Sequence, residues 1–160
     1  MISHASRSAL MALAGALFLS SGAFAAPPAS AVVTVDLKPA EGSLDTLIAR
    51  EIAKAKQQKR TPYVELGATW CGPCKHLAAS LGDDLMKDAF AGTYIIRLDV
   101  DEWKAQLETL GFKNTGIPVF FALDGSGKPT GERIDGGAWG EDIPANMAPP
   151  LKAFFSKNNS

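Results

Sequence analysis

The apolar positions of this chain change period several times, and each change marks an element. Val32 to Leu37 is β-branched and weakly alternating, which predicts a first strand. Leu44, Leu47, Ile48, Ile52 and Ala55 recur at helical spacing and give an apolar face to a helix from Leu44 to about Gln58, with Ser43 at its N-cap. Lys54 to Arg60 reads as the solvated basic end of that helix. Tyr63 to Gly67 has the apolar character of a buried strand. A helix is predicted from about Cys74 to Ala89, with Leu77, Leu81, Leu85 and Met86 on its buried side. Gly82-Asp83-Asp84 interrupts it, as a kink or as a division into two pieces. Tyr94 to Val100 is again strand-like, and Asp99 or Asp101 caps a helix from Glu102 to Leu110 that stops at Gly111. Val119 to Leu123 is an apolar strand, Asp124 to Pro129 is a strong turn signal, and Thr130 to Gly136 returns as its antiparallel partner. Pro149-Pro150 is expected to start a helix and not to sit inside one. The last helix is therefore placed at Pro150 to Lys157, with a separate helical turn around Ile143 to Met147.

The order β-α-β-α-β-α-β-β-α predicts an α/β fold. Its parallel βαβ units and late hairpin give a central mixed β-sheet flanked by helices. The composition, 46% apolar and 21% charged over 160 residues, suits a single domain with a real core. A formal net charge of −1 carries no nucleic-acid footprint.

The start of the chain stands apart from that domain. Arg7, with His4 nearby, precedes an apolar run from Ala9 to Leu19, then Ser20-Ser21-Gly22 and Ala23-Phe24-Ala25. This is the layout of a signal peptide over residues 1–25 with an A-x-A cleavage site. The apolar run is far shorter than the roughly 20 residues that span a bilayer, so no membrane insertion is expected after cleavage. Residues 26–42 then form a leader and the first strand, and residues 43–160 the domain that carries the chemistry. An exported protein, periplasmic or secreted, is expected.

The chemistry is confined to one stretch, because the only two cysteines are Cys71 and Cys74. A disulfide between them closes so small a loop that it constrains the unfolded chain little, so the pair is better suited to opening and closing than to stapling. Thiol–disulfide exchange needs one accessible thiolate and a second sulfur close enough to resolve a mixed disulfide. Cys71, at the turn into a helix, faces unpaired N–H groups and the positive end of the dipole, which lower its pKa below the free value of about 8.5. Cys74, inside the first turn, is expected to be the more buried, resolving thiol. Gly72 lets the backbone turn, and Pro73 stiffens it.

Trp70-Cys71-Gly72-Pro73-Cys74-Lys75 resembles the thioredoxin active-site motif in full, and the resemblance extends from about Leu44 to Lys157. It implies a thioredoxin fold and a redox disulfide Cys71–Cys74. It implies that Ile117-Pro118 is the family's cis-proline beside the cysteines, where substrate backbone is held, and that Trp70, Gly72 and Pro73 lie on the substrate rim. It implies that Glu65 is the buried acid that exchanges a proton with the second cysteine through water, and that Gly136 or Gly137 lies near the rim. The sequence departs from the family in having Glu at position 65 where Asp is usual and Arg97 where Lys is usual. An arginine, which does not deprotonate, would hold Glu65 ionised, and pairing with Arg97 is then an alternative role for Glu65. The active-site helix lacks the family's mid-helix proline, and Ala138 to Pro150 has no simple counterpart in the family.

The other candidates read more plainly. Trp103 and Trp139 are taken as packing residues. His76 lies one residue too late for a haem-attachment motif and is taken as a solvated helix residue. Two cysteines and one histidine in the mature chain are too few for a zinc site, and no glycine-rich nucleotide loop follows a strand, so no cofactor is expected. The expected activity is reduction of protein disulfides outside the cytoplasm by a monomer, with a membrane thiol carrier as electron donor. The alternatives are a thiol oxidase or isomerase, or a binding module with a static disulfide.

Overall fold

Strand alternation divides the core of this protein into two layers. In β2 (Thr61–Gly67), Val64 and Leu66 face one side of the sheet while Tyr63 faces the other. The structure is a computed structural model that describes residues 31–113 and 116–159. The predicted signal peptide and the start of the predicted leader lie outside the described residues.

The described residues build a five-stranded sheet in the order β1-β3-β2-β4-β5. β1 (Thr34–Asp36) and β2 both run parallel to β3 (Thr93–Asp99), while β4 (Val119–Leu123) is antiparallel to β2 and to β5 (Pro129–Asp135). The thioredoxin fold expected from the sequence is the fold observed: a mixed sheet with helices on both faces. α1 (Leu44–Gln57) and α4 (Lys104–Leu110) belong to one layer, with Leu47, Ile48, Trp103 and Leu107 packed on Val64, Ile96 and Phe121. α2 (Gly72–Ser80), α3 (Asp84–Ala89) and α5 (Pro144–Asn158) supply the other, where Leu77, Met86, Leu151 and Phe155 pack with Tyr63, Ile95 and Phe120.

Two expectations need correction, the burial of Leu85 and the start of the last helix. The interruption at Gly82-Asp83-Asp84 divides the predicted helix into two, one of the two forms expected for it. Asp83 ends the break between them by accepting the Leu85 N–H at 2.8 Å, and the break resets the helical phase. Leu85 is consequently 54% exposed rather than part of the buried side. Ser43 occupies the N-cap of α1 as expected, and its hydroxyl donates to the Thr46 hydroxyl rather than accepting from a backbone N–H. The largest difference is α5, which runs unbroken through Pro149 and Pro150. Two prolines remove two ladder bonds. Met147 and Ala148 before them and Leu151, Phe154 and Phe155 after them are all buried, so tertiary packing holds the segment as one helix against its local preference.

Candidate redox site

The site begins where β2 ends. Buried apolar residues carry the chain straight to Gly67, and the turn Ala68–Trp70 delivers Cys71 to the N-cap of α2. There Cys71 has extended backbone, and its Sγ accepts the Cys74 N–H at 3.2 Å. This is the contact that favours negative charge on a sulfur at a helix start. Cys71 and Cys74 are joined as a disulfide, with Cα atoms 5.3 Å apart. Pro73, in the first turn, lacks an N–H where none is needed.

A second chain segment meets this turn from β4. The Ile117–Pro118 peptide is cis, and the Ile117 carbonyl oxygen lies 3.8 Å from Cys71 Sγ. Pro118 in turn accepts the Gly136 N–H at 3.1 Å, and a Cβ on Gly136 would sit 3.7 Å from both Pro118 and Trp139. Those are ordinary contacts, and they place Gly136 against both residues. Trp70 projects outward, 65% exposed, and its Nε1 donates to Asp101 at 2.7 Å. Gly72 and Pro73 are exposed beside it. Trp103 and Trp139 are buried, as packing residues should be. The segment after Ala138 is fastened near the site by Asp142, which accepts from Trp139 Nε1 at 2.9 Å and lies 3.8 Å from the exposed His76.

The two cysteines reverse the expected order of burial. Cys71 is only 4% exposed, whereas Cys74 is half-buried and borders an open groove. Local sequence cannot show this, because distant segments decide it: Ile117 comes up against Cys71, and Gly67 leaves space beside Cys74. A Cβ at Gly67 would already lie 3.6 Å from Cys74 Sγ. The groove, about 230 Å³, runs between α2 and the ends of β1, β2 and β3 and is lined by Asp36, Glu65, Gly67, Cys74, Arg97 and Asp99 among others.

Glu65 lies at the inner wall of this groove, 8% exposed. Burial pushes its carboxyl up to about 7; Arg97 opposes the shift and Asp36 adds to it. The direct pair with Arg97, the alternative role given to Glu65, is not formed. The two are register partners across β2 and β3, yet the guanidinium Nη2 bonds Asp36 Oδ2 on β1 at 2.6 Å, and Arg97 Nε is buried without a partner. Arg97 therefore does not lock Glu65 in its ionised form. Asp36 is a single exposed acid that carries no pattern, and Asp101, expected as a possible helix cap, instead accepts from Trp70 Nε1. Asp36 lies two positions before Lys38 on a weak strand, and only the parallel register shows its place opposite Arg97. Among the described residues no group of three or more His, Cys, Asp or Glu side chains gathers to hold a metal ion.

Fold and site together define an α/β domain with a paired-cysteine centre at a helix N-terminus. Residues 48–148 match the family model described as Thioredoxin, and the chain belongs to the thioredoxin family. A Thioredoxin H-type of Chlamydomonas reinhardtii is 36% identical over 70 residues, which is 44% of this chain and 59% of that protein. The match therefore spans less than two thirds of that relative's length. A Thioredoxin H-type of Oryza sativa subsp. indica is 32% identical over 88 residues, 53% of this chain and 69% of that one. The solved disulphide isomerase from Xylella fastidiosa Temecula1 superposes with a TM-score of 0.53 at 22% identity, over 72% of this chain and 90% of the other, which marks a common fold.

Proposed function

We propose that this protein is an exported thiol–disulfide oxidoreductase that reduces disulfides of protein substrates. The observation that carries the reading is the Cys71–Cys74 disulfide at the start of α2, with the Cys74 N–H on Cys71 Sγ and the Glu65 groove on its other side. In the reduced protein the helix start stabilises the Cys71 thiolate. That thiolate attacks one sulfur of the substrate disulfide; a new S–S bond forms to Cys71, the old one breaks, and the first substrate sulfur leaves as a thiolate. Glu65, with a carboxyl poised near neutrality, takes the Cys74 proton. Both groups line the same groove, and the transfer runs through water there. The Cys74 thiolate attacks Cys71 Sγ, the mixed disulfide breaks, and the second substrate sulfur departs as a thiolate. Two electrons have passed from the dithiol to the substrate.

Trp70, Gly72 and Pro73 form the exposed face that a substrate meets, with Ile117 and Pro118 behind them. The leader at residues 1–25 supports export to the periplasm or beyond. In such an oxidising compartment a reductant needs a supply of electrons, and a membrane thiol carrier fits a soluble monomer released from its leader. Trapping tests the reading. Cys74→Ala should leave a substrate protein attached to Cys71, released by dithiothreitol. A reduction potential well above about −200 mV, in the range of oxidising and isomerising proteins, would overturn the reductase reading.

A further inference from the structure

β1, β3 and β2 lie side by side, and their parallel registers set Asp36, Arg97 and Glu65 in one row: Asp36 opposite Arg97, and Arg97 opposite Glu65. The row reads minus, plus, minus across the groove wall. The cation has a carboxylate on each side and bonds the outer one. Other charged groups on the groove are Lys38 after β1, Asp99 on β3 and Lys75 on α2, and Lys38 is held by Glu102 at 3.0 Å. From β4, the residue opposite Glu65 is Phe120, which brings no charge. Arg97 and Asp36 are thus the two charges whose arrangement bears on Glu65.

We propose that Asp36 is a positioning residue for proton transfer at Cys74: by holding Arg97 on the edge strand, it keeps the Glu65 carboxyl free to take up and return a proton. The inference rests on the reading of Glu65 as the base for Cys74. Without the Asp36 charge, the guanidinium has one carboxylate left in its row. Turned to Glu65, it would hold that group ionised, and a carboxylate held by a guanidinium is a weaker base. The device also explains why Arg is tolerated where the family usually has Lys. An arginine cannot shed its proton, so its charge has to be neutralised by a partner. The Asp36–Arg97 pair is itself well exposed on the Asp36 side, at 57%, so its loss should hardly affect folding.

The test follows the second thiol by itself. Reduced protein is mixed rapidly with Ellman's reagent at a series of pH values. The first thionitrobenzoate released reports attack by Cys71, and the second reports resolution by Cys74. In Asp36→Asn the second phase should keep its sigmoid pH dependence with a midpoint lower by about 1 to 3 pH units and a lower plateau, as expected when a carboxyl gains an arginine partner. The first phase and the melting temperature should be unchanged, and Asp36→Glu should restore the wild-type profile. Glu65→Gln is the reference. If it alters the second phase while Asp36→Asn superimposes on wild type, the role of Asp36 is overturned and the base survives. If Glu65→Gln leaves the second phase unchanged at every pH, the base reading fails, and the role of Asp36 fails with it.

Discussion

Cys71 and Cys74 share one bond and little else. Cys71 is pressed under the Ile117 carbonyl, with backbone groups and the exposed Trp70 and Pro73 around it. Beside it, Asp101 holds the Trp70 indole. Cys74 opens onto a groove whose walls carry Asp36, Glu65, Arg97 and Asp99. The rim is thus built from dipoles, which stabilise a thiolate without exchanging protons. The groove is built from titratable groups, which exchange protons and need not touch the substrate. The proposed nucleophile and the proposed resolving thiol thus sit in different chemical surroundings.

The sharpest break of that comparison is removal of the nucleophile. Cys71→Ser should reduce insulin-reduction turnover to background, while Cys74→Ala should still form the first mixed disulfide and stop there. Equal trapping by both variants would mean that Cys74, the more accessible sulfur, also initiates exchange, and the division between rim and groove would fall.

Glu65 offers the next largest effect, and its sign is set by the raised pKa. The folded carboxyl titrates at about 7 and the unfolded one near 4.5. Below pH 4.5 both states are protonated and nothing is lost. As pH rises toward 7 the unfolded state ionises first, so stability falls, and the full penalty is present above 7. Glu65→Gln removes that penalty and should stabilise the protein by up to about 3 kcal/mol above pH 7, reduced by whatever the amide leaves unpaired, with no gain below pH 4.5. Urea unfolding at two pH values checks it. A loss of stability above pH 4.5 would instead show that the folded carboxyl is held ionised with a lowered pKa, as a direct Arg97 pair would make it.

Much of the rim was readable along the chain, and little of the groove was. A strand, a Trp-Cys-Gly-Pro-Cys turn and a helix are contiguous, so their order alone places Cys71 at a helix start. The apolar face of α1 was equally plain, because Leu44, Leu47, Ile48, Ile52 and Ala55 are one helical stripe and all are buried. What lay beyond reading depends on contacts distant in sequence. Glu51 shares that buried stripe only because Tyr94 donates to it at 2.7 Å and Arg50 and Lys54 pair with it. Pro149 and Pro150 sit inside α5 because residues on both sides are anchored in the core. Asp36 gains its meaning from the register of a three-residue edge strand. Cross-strand rows leave no period in the sequence, and the groove is made of one.

Gly67 marks the border between the two regions. It has no left-handed backbone requirement, and what matters is the space above it. Alanine would place a methyl 3.6 Å from Cys74 Sγ, an ordinary contact. Gly67→Val adds branches that must enter the same space, an overpacking expected to destabilise by about 1 to 3 kcal/mol and to narrow the groove at Cys74. The second thionitrobenzoate phase should slow more than the first. Equal slowing of both would show that rim and groove move together.

The smallest effect belongs to the tether of the Trp70 indole. Trp70 Nε1 donates to Asp101 Oδ2 at 2.7 Å, and the indole is 65% exposed, so little apolar burial is at stake. Trp70→Phe keeps a large aromatic face and deletes the donor. In so exposed a setting water replaces much of the lost bond, and the change in stability should be no more than about 1 kcal/mol. What should change is the fixity of the surface that substrates meet. The KM for a protein disulfide should rise, while the first phase with a small disulfide such as Ellman's reagent stays near wild type, because that step needs only Cys71. An equal loss with both substrates would mean that the tether orders the Cys71 turn itself, and the rim would then owe its geometry to a charged side chain, as the groove does.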